Sequence, residues 1–142
     1  MATRFRLLLT QEIHDEMIAH ALAETPNECC GLLAGRIDGD VGRTLKCLPL
    51  VNERSSPTAY RSEPRSILAA SRAIDREDWI ELAVYHSHPT SAAVPSRTDL
   101  AENFRGDSVV HVIVTLTTSP PTLRGWWLLP DRYEEAEVIV VD

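Results

Sequence analysis

Two histidines two residues apart, His86 and His88, end the apolar run Leu82-Ala83-Val84-Tyr85, and Pro89 follows at once. Residues i and i+2 of a strand share a side, so both imidazoles aim at one point in space. Proline has no N–H to give to a ladder, which ends the strand near the histidine pair. The chain must therefore bury a strand and present two ligand-type side chains at its C-terminal end. Asp99, eleven residues after His88, can add an oxygen donor from the start of a helix. Two imidazoles, one carboxylate and an open fourth position describe a catalytic zinc site rather than a closed structural one. Ser96 followed three residues later by Asp99, just ahead of Leu100, also reads as a helix capping box. The two roles are compatible, because a helix N-terminus can present both residues to a metal.

The rest of the chain supplies the layers that such a strand needs. Residues 5–9 read as a short first strand. Thr10 follows as an N-cap with Glu12 in the first turn. Ile13, Met17, Ile18, Ala21 and Leu22 recur at helical spacing as an apolar face, leaving His14 and His20 on the surface. The helix stops by Thr25, because Pro26 disfavours the α conformation in the residue before it. Residues 29–37 are short and apolar, as in a core strand. Asp38-Gly39-Asp40 turns the chain, and 43–51 returns as the hairpin partner. A polar loop from residue 52 ends at Tyr60. Pro64 suits the first turn of a second helix reaching about Glu77, with a weaker apolar face of Ile67, Leu68, Ser71 and Ile74. Residues 79–88 form the central, histidine-bearing strand, 96–103 a short helix, and 109–116 a β-branched buried strand. Residues 123–129 and 137–141 complete the set after the Ser119-Pro120-Pro121 turn. With no repeat or linker visible, the expectation is a single domain, residues 1–142, of mixed α+β class. Its sheet is mixed and largely antiparallel, flanked by helices.

At 142 residues the chain is long enough to bury a real core. A net charge of −7 and the lack of a basic stripe argue against a nucleic-acid partner. An acidic surface serves solubility and suits a basic or neutral protein partner. Cys29, Cys30 and Cys47 are too few and too close to form a disulfide framework, which points to a reducing compartment. No apolar run has the length of a signal peptide or a membrane span, so a cytoplasmic protein that does not engage a membrane is expected. Cys29 and Cys30 lie in an apolar run and read as inert core thiols, against a cysteine nucleophile. Ser87, between the histidines, faces the other side of its strand for packing or a backbone hydrogen bond. One residue of the Trp126-Trp127 pair must face away from the core if it lies on a strand. That leaves open packing under a helix or a homodimer or partner contact.

His86-x-His88-Pro89 followed by Pro95-Ser96-x-x-Asp99 resembles the motif of the JAMM (MPN-plus) metalloprotease family in composition and spacing. Upstream, Pro26-Asn27-Glu28-Cys29-Cys30-Gly31-Leu32-Leu33-Ala34-Gly35 looks like the family segment that carries its catalytic glutamate. Residues 52–60 also match the pattern of small prokaryotic members, so the resemblance covers nearly the whole chain. It implies the MPN fold, which is cytidine-deaminase-like. It also implies that His86, His88 and Asp99 are Zn2+ ligands, that Glu28 activates the zinc-bound water, and that Ser96 helps to stabilise the oxyanion. By itself, Glu28 reads as an exposed acid before a strand. Small bacterial members act on the C-terminal tail of ubiquitin-like sulfur-carrier proteins. The implied function is thus a zinc metallopeptidase or isopeptidase cutting the amide after a carrier's terminal glycines. The rivals are a non-catalytic MPN scaffold, disfavoured because all five motif residues are present, and a DNA-associated relative, disfavoured by the acidic charge.

Overall fold

The computed structural model describes residues 4–103 and 105–142. In chain order the elements are β1 (Arg6–Thr10), α1 (Gln11–Glu24), β2 (Cys30–Asp38), β3 (Val41–Leu50), α2 (Pro64–Arg76), β4 (Ile80–His88), α3 (Arg97–Ala101), β5 (Val110–Thr115), β6 (Thr122–Leu128), β7 (Tyr133–Ala136) and β8 (Val138–Val141). The strands form one sheet in the order β7-β6-β5-β4-β2-β3-β1-β8. β2 pairs antiparallel with β3 and β4, and β6 with β5 and β7. β1 runs parallel to β3 and β8, and β4 parallel to β5. The sheet is mixed, as expected, with antiparallel pairings ahead by one.

The β4–β5 pairing positions the site. A parallel neighbour cannot be reached by a hairpin, so the chain must cross over after His88. That crossover carries the 89–96 loop and α3 across the C-terminal end of β4.

Strict alternation sorts the side chains into two layers. Tyr85 of β4, Val110, Val112 and Val114 of β5 and Trp127 of β6 lie on one face with Ile13, Met17 and Ala21 of α1. Val84 lies on the other face with Ala70 and Ile74 of α2. Farther along that face, Ile113, Trp126 and Leu128 pack with Ala93, and Val94 and Leu100 cover them. Thr10 caps α1, its Oγ1 accepting from the Ile13 N–H at 3.2 Å. Met17 is wholly buried beneath the helix, a transfer worth about 1.5–3 kcal/mol, so a charged residue there would lift α1 from the sheet. Gly31 is glycine for want of room, since a Cβ there would overlap the Tyr85 ring.

Several expectations need correction. Leu22 and Leu68 are exposed, so each helix buries a narrower stripe than its spacing suggests. His20 is not a surface residue: its Nδ1 lies 2.8 Å from the Tyr85 hydroxyl, which also meets Cys47 Sγ at 3.6 Å. Trp126 and Trp127 are both buried, on opposite faces, so this pair is packing and not an exposed contact surface. The third helix is only five residues long. β7 escaped the sequence reading because Tyr-Glu-Glu-Ala lacks an apolar run; Glu135 instead meets Arg124 of β6 through two hydrogen bonds of 2.9 Å. Among the described residues no helix is long and apolar enough to cross a membrane.

Candidate metal centre

Because β4 alternates, His86 and His88 share the face that the crossover covers, while Ser87 points to the opposite side. The crossover loop is tied down at three points. Thr115 Oγ1 donates to the Ser91 carbonyl at 2.6 Å, Trp126 Nε1 to the Ala93 carbonyl at 2.9 Å, and the Leu116 N–H to the His88 carbonyl at 3.2 Å. Beyond the loop, Ser96 caps α3 in a complete capping box. Its Oγ accepts from the Asp99 N–H at 3.0 Å, and its own N–H donates to Asp99 Oδ2 at 2.9 Å. The cap holds the Asp99 carboxylate over the histidines, with His86 Nε2 3.2 Å from Oδ1 and His88 Nε2 3.2 Å from Oδ2. The two Nε2 atoms are 3.1 Å apart.

These separations suit a common ion. Ligands at 2.0–2.1 Å in tetrahedral array stand about 3.3 Å from one another. His88 Nδ1 lies 2.8 Å from the Ala92 carbonyl and so carries a proton, which makes Nε2 the ligand atom whenever the ring is neutral. All three residues are largely buried, and their ligand atoms lie within 4.8 Å of one another. Burial works against charge on Asp99, yet hydrogen bonds from His86 and His88 hold its carboxyl well below the usual range. Burial likewise disfavours charge on His88, but the hydrogen bonds to Asp99 and Ala92 leave its pKa raised. The donor set therefore fits a divalent metal, with an anionic carboxylate and two imidazoles converging.

Glu28 precedes β2, and Ser87 sets its place. Ser87 Oγ accepts from the Cys29 N–H at 2.8 Å, and the Ser87 N–H donates to the Cys29 carbonyl at 3.2 Å. The residue between the two histidines thus anchors the residue after Glu28. The Glu28 N–H donates to the Ser56 carbonyl, and Asn52 Nδ2 to the Glu28 carbonyl at 3.0 Å. Glu28 is only 4% exposed, so the reading of it as a surface acid is wrong. Its Oε1 is buried without a partner. Burial pushes its pKa up to about 8, with the charge of His88 opposing and that of Asp99 adding to the rise.

Three residues here were not singled out from the sequence as site residues. Asn52 uses its whole amide, since Oδ1 also accepts from the Arg54 and Arg61 N–H groups and Nδ2 donates to the Ala59 carbonyl. It therefore holds the 52–61 loop against Glu28. The Tyr60 ring stacks on His86 with centroids 4.7 Å apart. His111 of β5 joins Tyr60, His86 and Asp99 in lining a cavity of about 230 Å³ beside the ligand group. Tyr60 and His111 stand alone in polar or β-branched surroundings, with no spacing signal to mark them. Arg54 and Glu102 pair at 3.0 and 3.3 Å between the loop and the end of α3, a partly exposed tie worth about 0.2–1 kcal/mol. The cysteines are buried and free. Burial pushes Cys29 to about 12 and Cys30 and Cys47 to about 11, far from the range of a reactive thiolate.

Comparison with known proteins agrees with this geometry. Residues 10–129 match the family described as prokaryotic homologs of the JAB domain. The chain is 32% identical over 142 residues to a CysO-cysteine peptidase of Mycobacterium tuberculosis, covering 99% of this chain and 94% of that protein. It is 40% identical over 97 residues to a probable TtuB-protein conjugate cleaving protease of Thermus thermophilus, covering 68% and 62% of the two chains. The solution structure of a Desulfitobacterium hafniense protein superposes with a TM-score of 0.87 at 34% identity, covering 94% of this chain and 92% of the other.

Proposed function

This chain belongs to the prokaryotic JAB-domain family, and from that membership we propose that it is a zinc-dependent peptidase of ubiquitin-like or sulfur-carrier proteins. It hydrolyses the amide bond after the carrier's C-terminal glycines. The single observation that carries the chemistry is the convergence of His86, His88 and Asp99 in one ligand-sized group, with the Glu28 carboxyl buried near enough for His88 and Asp99 to act on it. A buried carboxyl with an orphaned oxygen stands where its charge is felt by two members of a three-ligand group. The substrate class follows the relatives, whose names specify a CysO-cysteine peptidase and a TtuB-conjugate protease.

His86 Nε2, His88 Nε2 and an Asp99 oxygen are the ligands in this reading. Zinc held by these three would acidify a coordinated water and polarise the scissile carbonyl. Glu28 takes a proton from the attacking water and returns it to the leaving amine, so that the C–N bond breaks with the proton balance closed. Ser96 already accepts from the Asp99 N–H, and its hydroxyl proton is available for the oxyanion. Burial favours the protonated form of Glu28 in the metal-free protein, and a divalent cation beside it shifts the balance toward the carboxylate. An extended tail, lying against strand or loop backbone, suits recognition of glycines that offer no side chain. Three free buried thiols fit work in the reducing cytoplasm.

Metal analysis of protein purified without chelator is expected to find about one zinc per chain, lost in His88→Ala. Glu28→Gln keeps its zinc but cuts a carrier–peptide fusion about 10²- to 10⁴-fold more slowly. Zinc-free wild-type protein at every metal supply would overturn the enzyme reading. Zinc-loaded protein that cuts no carrier fusion would instead indicate a scaffold.

A further inference from the structure

Among the described residues four buried side-chain atoms lack a hydrogen-bond partner: Glu28 Oε1, Thr44 Oγ1, His86 Nδ1 and His111 Nε2. Buried polar atoms are rarely left unpaired, and two of these four complement each other. His86 on β4 and His111 on β5 lie on adjacent parallel strands, with Val84 abreast of His111 and His86 abreast of Ile113. Val84, His86 and His111 therefore share one face of the sheet, and both histidines border the same cavity.

Their tautomers are complementary as well. As a ligand, His86 must turn a bare Nε2 toward Asp99 and His88, which places its proton on the orphaned Nδ1. His111 is only 6% exposed. Its Nε2 is buried without a partner. An interaction with the Gly106 carbonyl favours its proton on Nδ1, which leaves a bare Nε2. His86 thus has a donor with no acceptor, and His111 an acceptor with no donor. His88 shows what the arrangement lacks at His86, since its own Nδ1 is satisfied by the Ala92 carbonyl at 2.8 Å.

We propose that His111 is the outer hydrogen-bond partner of His86, with His86 Nδ1–H donating to His111 Nε2 once metal seats the His86 ring. His111 is then a positioning residue that sets metal affinity through the orientation and basicity of His86, as such outer partners do. The inference rests on the reading of His86 as a metal ligand.

Ring-nitrogen NMR of zinc-loaded wild-type protein tests it without a mutation. Both histidines should be protonated at Nδ1, with a through-bond coupling from the His86 Nδ1 proton to His111 Nε2. A proton on His111 Nε2 would overturn the proposal. In chelator competition, His111→Leu should bind zinc roughly 10- to 100-fold more weakly than wild type, and His111→Gln, which keeps an acceptor, should recover most of the loss. Equal affinity in wild type and His111→Leu would also overturn it while leaving the zinc reading intact. Wild-type protein that bound no zinc would remove both.

Discussion

Glu28→Gln should slow turnover about 10²- to 10⁴-fold and yet stabilise the metal-free protein, by an amount that grows with pH. Burial raises the Glu28 carboxyl from its ordinary 4.5 to about 8. An acid with a raised native pKa keeps its proton when folded, whereas the unfolded chain releases it above 4.5. Unfolding therefore frees a proton between about pH 4.5 and pH 8, and stability falls as pH rises through that window. At about 1.4 kcal/mol per decade the full effect reaches about 5 kcal/mol. Water entering from the mouth of the site reduces this, so about 2–5 kcal/mol is expected. Glutamine has the same shape and no charge to bury, so the variant should lack the decline. Urea unfolding of chelator-treated wild type and Glu28→Gln at pH 5 and pH 8 measures the difference. Asp99 stays ionised across this range in both proteins, and the His88 shift owes least to Glu28, so their contributions largely cancel. Wild type should lose about 1.5–3.5 kcal/mol more than the variant between the two pH values, since these span only part of the window. Parallel pH profiles would refute a buried, desolvated Glu28.

Ser96→Ala removes the cap of α3 and should cost about 1 kcal/mol in thermal or urea unfolding, with zinc retained and kcat lowered if the hydroxyl serves the oxyanion. Tyr85→Phe strands His20 Nδ1 and Cys47 Sγ, both hydrogen-bonded to the lost hydroxyl, and should destabilise the fold by about 1–3 kcal/mol without changing zinc content. The native thiols should resist maleimide at pH 8 until the protein unfolds. Their pKa values, raised to about 11–12 by burial, mean that the unfolded chain ionises first. Stability should therefore fall as pH rises above about 9, as read by thermal melts at pH 8 and pH 10.

The periodic elements were legible because each has a physical signature. The helical stripe of Ile13, Met17 and Ala21 and the apolar run into His86 gave α1 and β4, and Pro26 and Pro89 marked where each must stop. The coming together of His86, His88 and Asp99 was also legible, since a strand pair and a capping box are local in sequence. What escaped depends on contacts across the sheet. Glu28 has no local sign of burial; Ser87 brings it in through a bond to the N–H of Cys29, fifty-eight residues earlier in the chain. His20 lies outside the apolar stripe of α1, and only the Tyr85 hydroxyl opposite explains its burial. Leu22 and Leu68 fit the helical period but lie beyond the edge of the layer that each helix covers. The parallel pairing of β4 with β5, which carries Asp99 over the histidines, is a matter of topology that periodicity does not encode.

The central claim is that this chain hydrolyses the amide after a carrier's terminal glycines and needs zinc to do so. Intact-mass spectrometry of a sulfur-carrier protein extended by cysteine or a short peptide tests it most directly, comparing zinc-loaded, chelated and zinc-restored enzyme. The account predicts one product ending at the terminal glycine, formed with zinc, lost with chelator and regained on restoring the metal. A fusion left intact by fully zinc-loaded protein, or cleavage that continues in the chelated enzyme, would contradict it.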